Sequence, residues 1–559
     1  MGKIKLLAVF FLLCGVCLAA SLPNKPVRNK PKPVRDSLIH LEQAGVLSYD
    51  RGKSDAQILV KDVRFRHNGA IMTCDSANFY ERNNSFRAYG RVKMIQGDTL
   101  ELVGDTLDYD GNLLLAKVWG KNVVLTHWKD KRKKDKTVLK TRHLDYDRVY
   151  DVGYFYDDGE LDDQDNVLTS DWGEYSTAER EASFYYNVKL TNPKFLLMTD
   201  TLYYNTNTEN AHFMGPSNVF RVVNKATDLS EMIYSRNGYY NTRTEYARLL
   251  GPSVVKNPER IVVGQDSLIY NKQTGEGRGY RNTVLTDLKN KNQLQGDYCY
   301  YNDSLGTAIA TGRAVAKDFS QEKSDTLFLH ADSLKMFSYN LDTDSLYRIM
   351  HAYKHVRAYR SDVQCVADSM VYNQQLKRLG MFQDPVVWNN DMQLLGDSIY
   401  VWNNDSTIEW AHVIGQALSV EMQDSIHYNQ VAGKEIKAYF ENGNINLAHV
   451  IDNVDYAYYP LDKDSTMVGF LRGQVTELKF FMAEKKLMKI WAGSGNEGTM
   501  YPLLMVPDQE LKLKNFVWLD YIRPKNKEDI FNWIPKKEGD KLQVLPKRSA
   551  PVVNLNKRE

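Results

Sequence analysis

The sequence predicts an all-β chain, an elongated array of repeated hairpins closed by a short irregular C-terminal segment, and three observations carry that prediction. The stretch Gly104 to Leu125 alternates polar and apolar residues through Asp105-Thr106-Leu107-Asp108-Tyr109. It turns at Asp110-Gly111-Asn112 and alternates again towards Gly120-Lys121-Asn122-Val123, which is a β-hairpin signal. The pattern then recurs, as in Gly264 to Tyr270 and Gly396 to Tyr400, with weaker copies from Asp75, Arg142, Asp171, Asp200, Ser230, Asp297, Asp332, Asp368 and Lys434. Successive starts fall about 29 to 38 residues apart, a period in the range of solenoid repeats. Finally, the chain holds 35 tyrosines, places Asp and Asn at turns and shows no long apolar helical period before its C-terminal end, a composition that suits strands. Because a repeat array grows by stacking, 559 residues need not mean several globular domains.

The elements follow in order. Lys3 and Lys5 precede the apolar run Leu6 to Leu13, and Leu18-Ala19-Ala20 offers small residues before Ser21. Residues 1–20 therefore read as a cleaved signal peptide, the apolar run being too short to span a membrane. Lipidation at Cys14 or Cys17 is disfavoured, since neither has Leu three residues before it with a small residue adjacent. Residues 21–54 form a Pro/Lys-rich linker and lead-in, with ordered structure expected from near Asp55. Residues 55–495 are the hairpin array, its turns marked by Asn, Asp and Gly. Residues 496–559 form a C-terminal cap and a disordered basic tail.

Charge excludes one class of partner. The formal net charge of +2 gives no field that would recruit nucleic acid. A basic run, Trp128 to Lys136, and an acidic run, Asp157 to Asp165, break the rhythm and read as solvated hairpin tips, because like charges resist burial. Cys74, Cys299 and Cys365 are an odd set lying in or beside first strands, and are read as buried thiols. The repeated Asp at the first position, as in Asp105, Asp200, Asp266, Asp332, Asp368 and Asp397, reads as a strand-start residue bonding to turn backbone. His351 and His355 share a face but lack a third ligand, so no metal site is assigned. With no G-x-S-x-G elbow and no phosphate-binding glycine loop between a strand and a helix, the chain is read as a non-enzyme without cofactor.

Within the first strand of each repeat, the third and fifth positions are apolar: Leu107 and Tyr109, Leu202 and Tyr204, Leu268 and Tyr270, Leu334 and Met336, Met370 and Tyr372, Ile399 and Val401. One face of each strand is thus dry and the other wet. A lone hairpin is marginal in water, so stability must come from stacking hairpin on hairpin, leaving an apolar stripe along the inside.

The D-[ST]-L-x-Y strand with its following N-x-x-x-x-A-x-x-x-G-x-V, and the run His67 to Ser76, resemble OstA-like proteins of the LptA/OstA lipopolysaccharide-transport family over roughly Ala56 to Gly495. The resemblance implies a β-jellyroll, or β-taco, that holds the lipid A acyl chains of lipopolysaccharide between the inner and outer membranes and contributes to outer membrane assembly. It also implies partners joined by edge-strand pairing, LptC-like at the inner membrane and LptD-like at the outer. The twelve residues named above become the candidate lipid groove. The expected location is the periplasm, with association to the outer membrane left open. The alternative is a structural or adhesive surface solenoid with a dry core.

Overall fold

The computed structural model describes residues 38–540, apart from residues 51, 53, 223–228, 257, 259, 321–324, 342, 405, 406, 463, 465, 484 and 485. The leader, the proline-rich stretch to Arg35 and the tail beyond residue 540 lie outside the described residues. The chain is all-β, with antiparallel strands and short 3-10 turns and no α-helix among the described residues. Two compact units divide it, Met1–Phe184 and Tyr185–Glu559.

Strands are longer than the hairpin pattern alone indicates. Leu100–Asp110, Leu115–Trp128 and Lys136–Asp147 in the first unit, or Leu327–Tyr339, Tyr347–Tyr359 and Val363–Asn373 in the second, are each paired along both halves with a register shift between. Many of the long strands carry residues in the left-handed region at their middle, such as Gly90 and Arg91, Gly312 and Arg313, Lys354 and His355, or Gly415 and Gln416. A bulge of this kind bends the strand. Each strand therefore turns a corner and contributes one half to each of two sheets. We call sheet A the one holding Leu107 and Tyr109 and their equivalents, and sheet B its partner. In the first unit the two sheets face each other across an apolar interior, where Phe65 of sheet B lies 4.2 Å from Phe86 and 5.5 Å from Phe79 of sheet A, centroid to centroid.

Of the six aspartates read as strand starts, only Asp266 and Asp397 are so placed, just before the strands Ser267–Asn271 and Ser398–Asn403. Asp105, Asp200, Asp332 and Asp368, like Asp75 and Asp297, lie inside strands, at the corner. Asp105 accepts the Lys121 backbone N–H at 2.9 Å, Asp75 accepts the Arg91 guanidinium at 2.8 Å and Asp332 pairs with His355 at 2.9 Å. A Cβ at Gly90 would lie 2.5 Å from an Asp75 carboxylate oxygen, and one at Gly415 2.1 Å from that of Asp397. The recurring pairs Asp75 with Gly90, Asp105 with Gly120, Asp200 with Gly215 and Asp297 with Gly312 are thus two sides of one corner, the carboxylate occupying the space that glycine leaves. Strand-end residues hold the turns instead: Asp110 accepts the N–H groups of Asn112 and Leu113 at 2.9 and 3.0 Å, and Asn205 those of Asn207 and Thr208 at 3.0 and 2.9 Å.

Three further departures have simple causes. Strands His40–Gln43 and Val46–Ser48 already pair with Gln57–His67 ahead of Asp55, because Leu41 and Leu47 fall on its register. The acidic run is not a free tip: Gly159–Asp163 is a strand paired with Lys136–Asp147. Lys140 holds Glu160 at 2.8 Å and Asp162 at 2.5 Å, and fully buried Asp163 meets Lys129 at 3.2 Å and the Thr137 hydroxyl at 3.1 Å. Opposite runs neutralise each other across the ladder, which single-sign runs cannot do. Cys74, Cys299 and Cys365 are free and buried. Burial pushes the Cys74 thiol up to about 11 and those of Cys299 and Cys365 to about 12.

After the last strand, Glu497–Tyr501, the chain crosses the outer face of sheet B in the second unit as an irregular strap with 3-10 turns at Leu503–Met505, Asp520–Ile522, Asp529–Phe531 and Glu538–Asp540. Leu513, Val517, Leu519 and Ile522 of the strap are buried against Val386, Trp388, Leu395, Leu418 and Phe470, each contributing about 1.5 to 3 kcal/mol.

Candidate functional site

The apolar interior is the feature that the fold repeats from hairpin to hairpin, and the sequence-named residues line its sheet A side. The third-position residues Leu107, Leu202, Leu268, Leu334, Met370 and Ile399 are all buried. The fifth position divides. Tyr109 and Tyr204 are buried as well, whereas Tyr270, Met336, Tyr372 and Val401 are partly exposed. Strand register explains the common depth, since Leu334 faces Ala352 and Met336 faces Met350, while Ile399 faces Val413 and Val401 faces Ala411. The inner row is thus tiled by side chains on every strand, and the outer row lies nearer the strand tips.

In the first unit the tips of the two sheets are tied together by polar groups. Tyr109 of sheet A meets the His67 ring at 2.7 Å and receives a hydrogen bond from Arg148 at 2.5 Å. Arg148 also donates to Gln96 at 2.8 Å and to the Asn68 carbonyl at 3.0 Å, and Gln96 donates to Asp151 at 2.8 Å. A second tie joins His127 to Tyr175 at 2.9 Å. His67, Tyr109, Arg148, His127 and Tyr175 are buried, and burial raises the Tyr109 and Tyr146 hydroxyls and lowers His127 to about 4. The neutral ring of His127 thereby suits its dry position.

From Ser267 onward the outer positions are mostly aliphatic, with Tyr270 and Tyr372 keeping the tyrosine of the motif. Met350, Leu379, Val401 and Phe480 of sheet A and Leu294, Leu327, Val387, Leu394, Val431 and Leu471 of sheet B are partly buried and pack on a core that mixes small residues such as Ala310, Ala331 and Ala352 with Leu329, Leu334, Met370 and Ile399. The outer row, at the mouth of this interior, is partly exposed. The sheet B half of this mouth has its own signal in the sequence, the alternation Leu327, Leu329, Ala331 that runs up to Asp332. It reads as part of the same long strand only once the corner is known.

His351 lies against Tyr353 at 2.9 Å and His355 against Asp332, which draws the two apart. Among the described residues no three His, Cys, Asp or Glu side chains are grouped to hold a metal ion.

The fold is thus a two-sheet array with an apolar inside and, in the second unit, a partly exposed outer row. Residues 36–200 match the family model of OstA-like proteins, in agreement with the strand motif found there. The match covers the first unit's hairpins and ends before the mouth that begins at Ser267. No curated protein matches the chain.

Proposed function

We propose that the protein is an exported, periplasmic carrier of lipopolysaccharide, holding lipid A acyl chains between its sheets and serving as a bridge in outer membrane assembly. The observation that carries this reading is the partly exposed apolar row of Tyr270, Met336, Tyr372 and Val401, backed by aliphatic partners on sheet B. Such a row costs free energy when left in water, about 25 cal/mol for each Å² of apolar surface, and an acyl chain would remove that cost without any polar partner. The OstA-like match over residues 36–200 supports the same class of role, transport and binding rather than catalysis.

Joining to LptC-like and LptD-like partners would use free strand edges. Lys486–Ala492 and Glu497–Tyr501 both pair with Phe470–Ala483 on one side only among the described residues, and unpaired backbone groups are a template for another strand. The test is mass spectrometry of lipids extracted from natively purified mature protein, beside Met336→Asp and Val401→Asp variants. Glycolipid bound to the parent and lost from folded variants is the expected result. Parent protein free of lipid, under conditions in which an unrelated lipid carrier keeps its ligand, would favour the dry structural solenoid.

A further inference from the structure

The strap at the C-terminal end is bound in an unusual way. Buried glutamines on separate strands of sheet B grip its backbone. Gln430 donates to the Leu511 carbonyl at 2.7 Å and accepts the Leu513 N–H at 2.9 Å. Gln393 repeats the arrangement, donating to Val517 at 2.8 Å and accepting from Leu519 at 2.7 Å. Gln364 accepts Arg523 at 2.7 Å, and fully buried Arg357 donates to the Ile522 carbonyl at 2.8 Å and lies 3.5 Å from Asp529. Gln393 and Gln430 each offer one donor and one acceptor to residues two apart, as a neighbouring β-strand would, while Gln364 donates to the Arg360 carbonyl and meets the strap through Arg523 alone. Four strands of sheet B, Tyr347–Tyr359, Val363–Asn373, Met392–Leu395 and Tyr428–Glu441, are thereby tied to a single segment of chain.

The location matters as much as the chemistry. These strands belong to the stretch whose mouth is aliphatic, where tip-to-tip ties of the Tyr109–Arg148 kind are replaced by Met350, Val401 and Val431. Two sheets joined at a corner need some restraint on the angle between them, and a restraint across the mouth would obstruct a ligand. The back of sheet B is the place that leaves the mouth clear.

We propose that residues 503–540 are a brace that fixes sheet B of the second unit from behind, with Gln364, Gln393, Gln430 and Arg357 as positioning residues for the mouth. That the braced mouth receives acyl chains rests on the function proposed above; the bracing does not.

The test is a spin-label distance across the mouth in the full mature chain. Leu376→Cys at a sheet A tip and Ile426→Cys at a sheet B tip are both exposed, and the three native thiols are buried. The parent should give one narrow distance distribution, and Gln393→Ala/Gln430→Ala a broad or shifted one at unchanged strand content. If the double variant does not fold, Gln430→Ala alone carries the same readout, and a Gln430→Glu chain that keeps only the acceptor should fall between. A folded variant with the parent's distribution would overturn the brace. Lipid content measured on the same samples separates the two readings. Broadening with no lipid in any sample would keep the brace and remove the carrier, whereas lipid retained with an unmoved distance would do the reverse.

Discussion

The same repeat position has opposite fates in two regions. Tyr109, in the first unit, is sealed beneath a hydrogen-bonded tie of His67, Arg148 and Gln96. Tyr372, in the second, is partly exposed among aliphatic neighbours. One residue type on one face of one motif is therefore a core residue in the first case and a candidate ligand contact in the second. What differs is what the strand tips offer each other. Polar tips zip and dry the interior, as in an ordinary folded core, while aliphatic tips leave an apolar row partly exposed, which under the function proposed above is the place for an acyl chain.

Aspartate substitutions should break this contrast most severely. Leu107→Asp places an unpaired charge in the sealed interior and should cost upward of about 4 kcal/mol, enough to unfold the first unit. Val401→Asp can turn its carboxylate to water and should leave the chemical denaturation midpoint nearly in place. Equal losses for both would erase the distinction.

Acid should weaken the first unit through His127. Burial holds its ring at about 4, below the ordinary value of 6.5. Between those two pH values the unfolded chain binds a proton that the folded chain does not, so stability falls as pH drops through this window, by up to roughly 3 kcal/mol. Denaturation curves at pH 7 and pH 4.5 should show the loss, and His127→Asn should reduce the pH slope. An unchanged slope in the variant would assign the acid sensitivity to other groups.

A finer comparison removes one hydroxyl at each position. Tyr109→Phe strands the His67 ring nitrogen and one Arg148 donor and should cost about 1 to 3 kcal/mol. Tyr372→Phe should stay within about 0.5 kcal/mol. The smallest expected effect concerns the thiols. Cys74, Cys299 and Cys365 are buried, with their pKa values pushed up, and should react with a thiol reagent only after denaturation. Prompt labelling of Cys299 or Cys365 in the native chain would mean that the second unit opens further than its strands indicate.

How much of this was legible in the sequence depends on which interaction set each feature. The third-position residues are legible because a period of two fixes their face, and Leu107, Leu268 and Ile399 are all inside. The corner was not, because Asp75 and Gly90 meet only after two strands have paired, and either residue alone looks like turn chemistry. The Tyr109 tie was hidden for a similar reason: Arg148 reaches the Asn68 carbonyl from far along the chain, and no local pattern marks such a residue. Gln393 and Gln430 sit on the wet face by alternation, and only the arrival of Leu513 and Leu519 makes them core groups.

The account turns on where a lipid lies. Photo-crosslinking residues placed at Val401 and, in a separate chain, at Tyr109 would be activated in protein carrying its native ligand, and adducts identified by mass spectrometry. The account predicts a glycolipid adduct at Val401 and none at Tyr109. An adduct at Tyr109, or no adduct at Val401 in protein shown to have lipid bound, would contradict it.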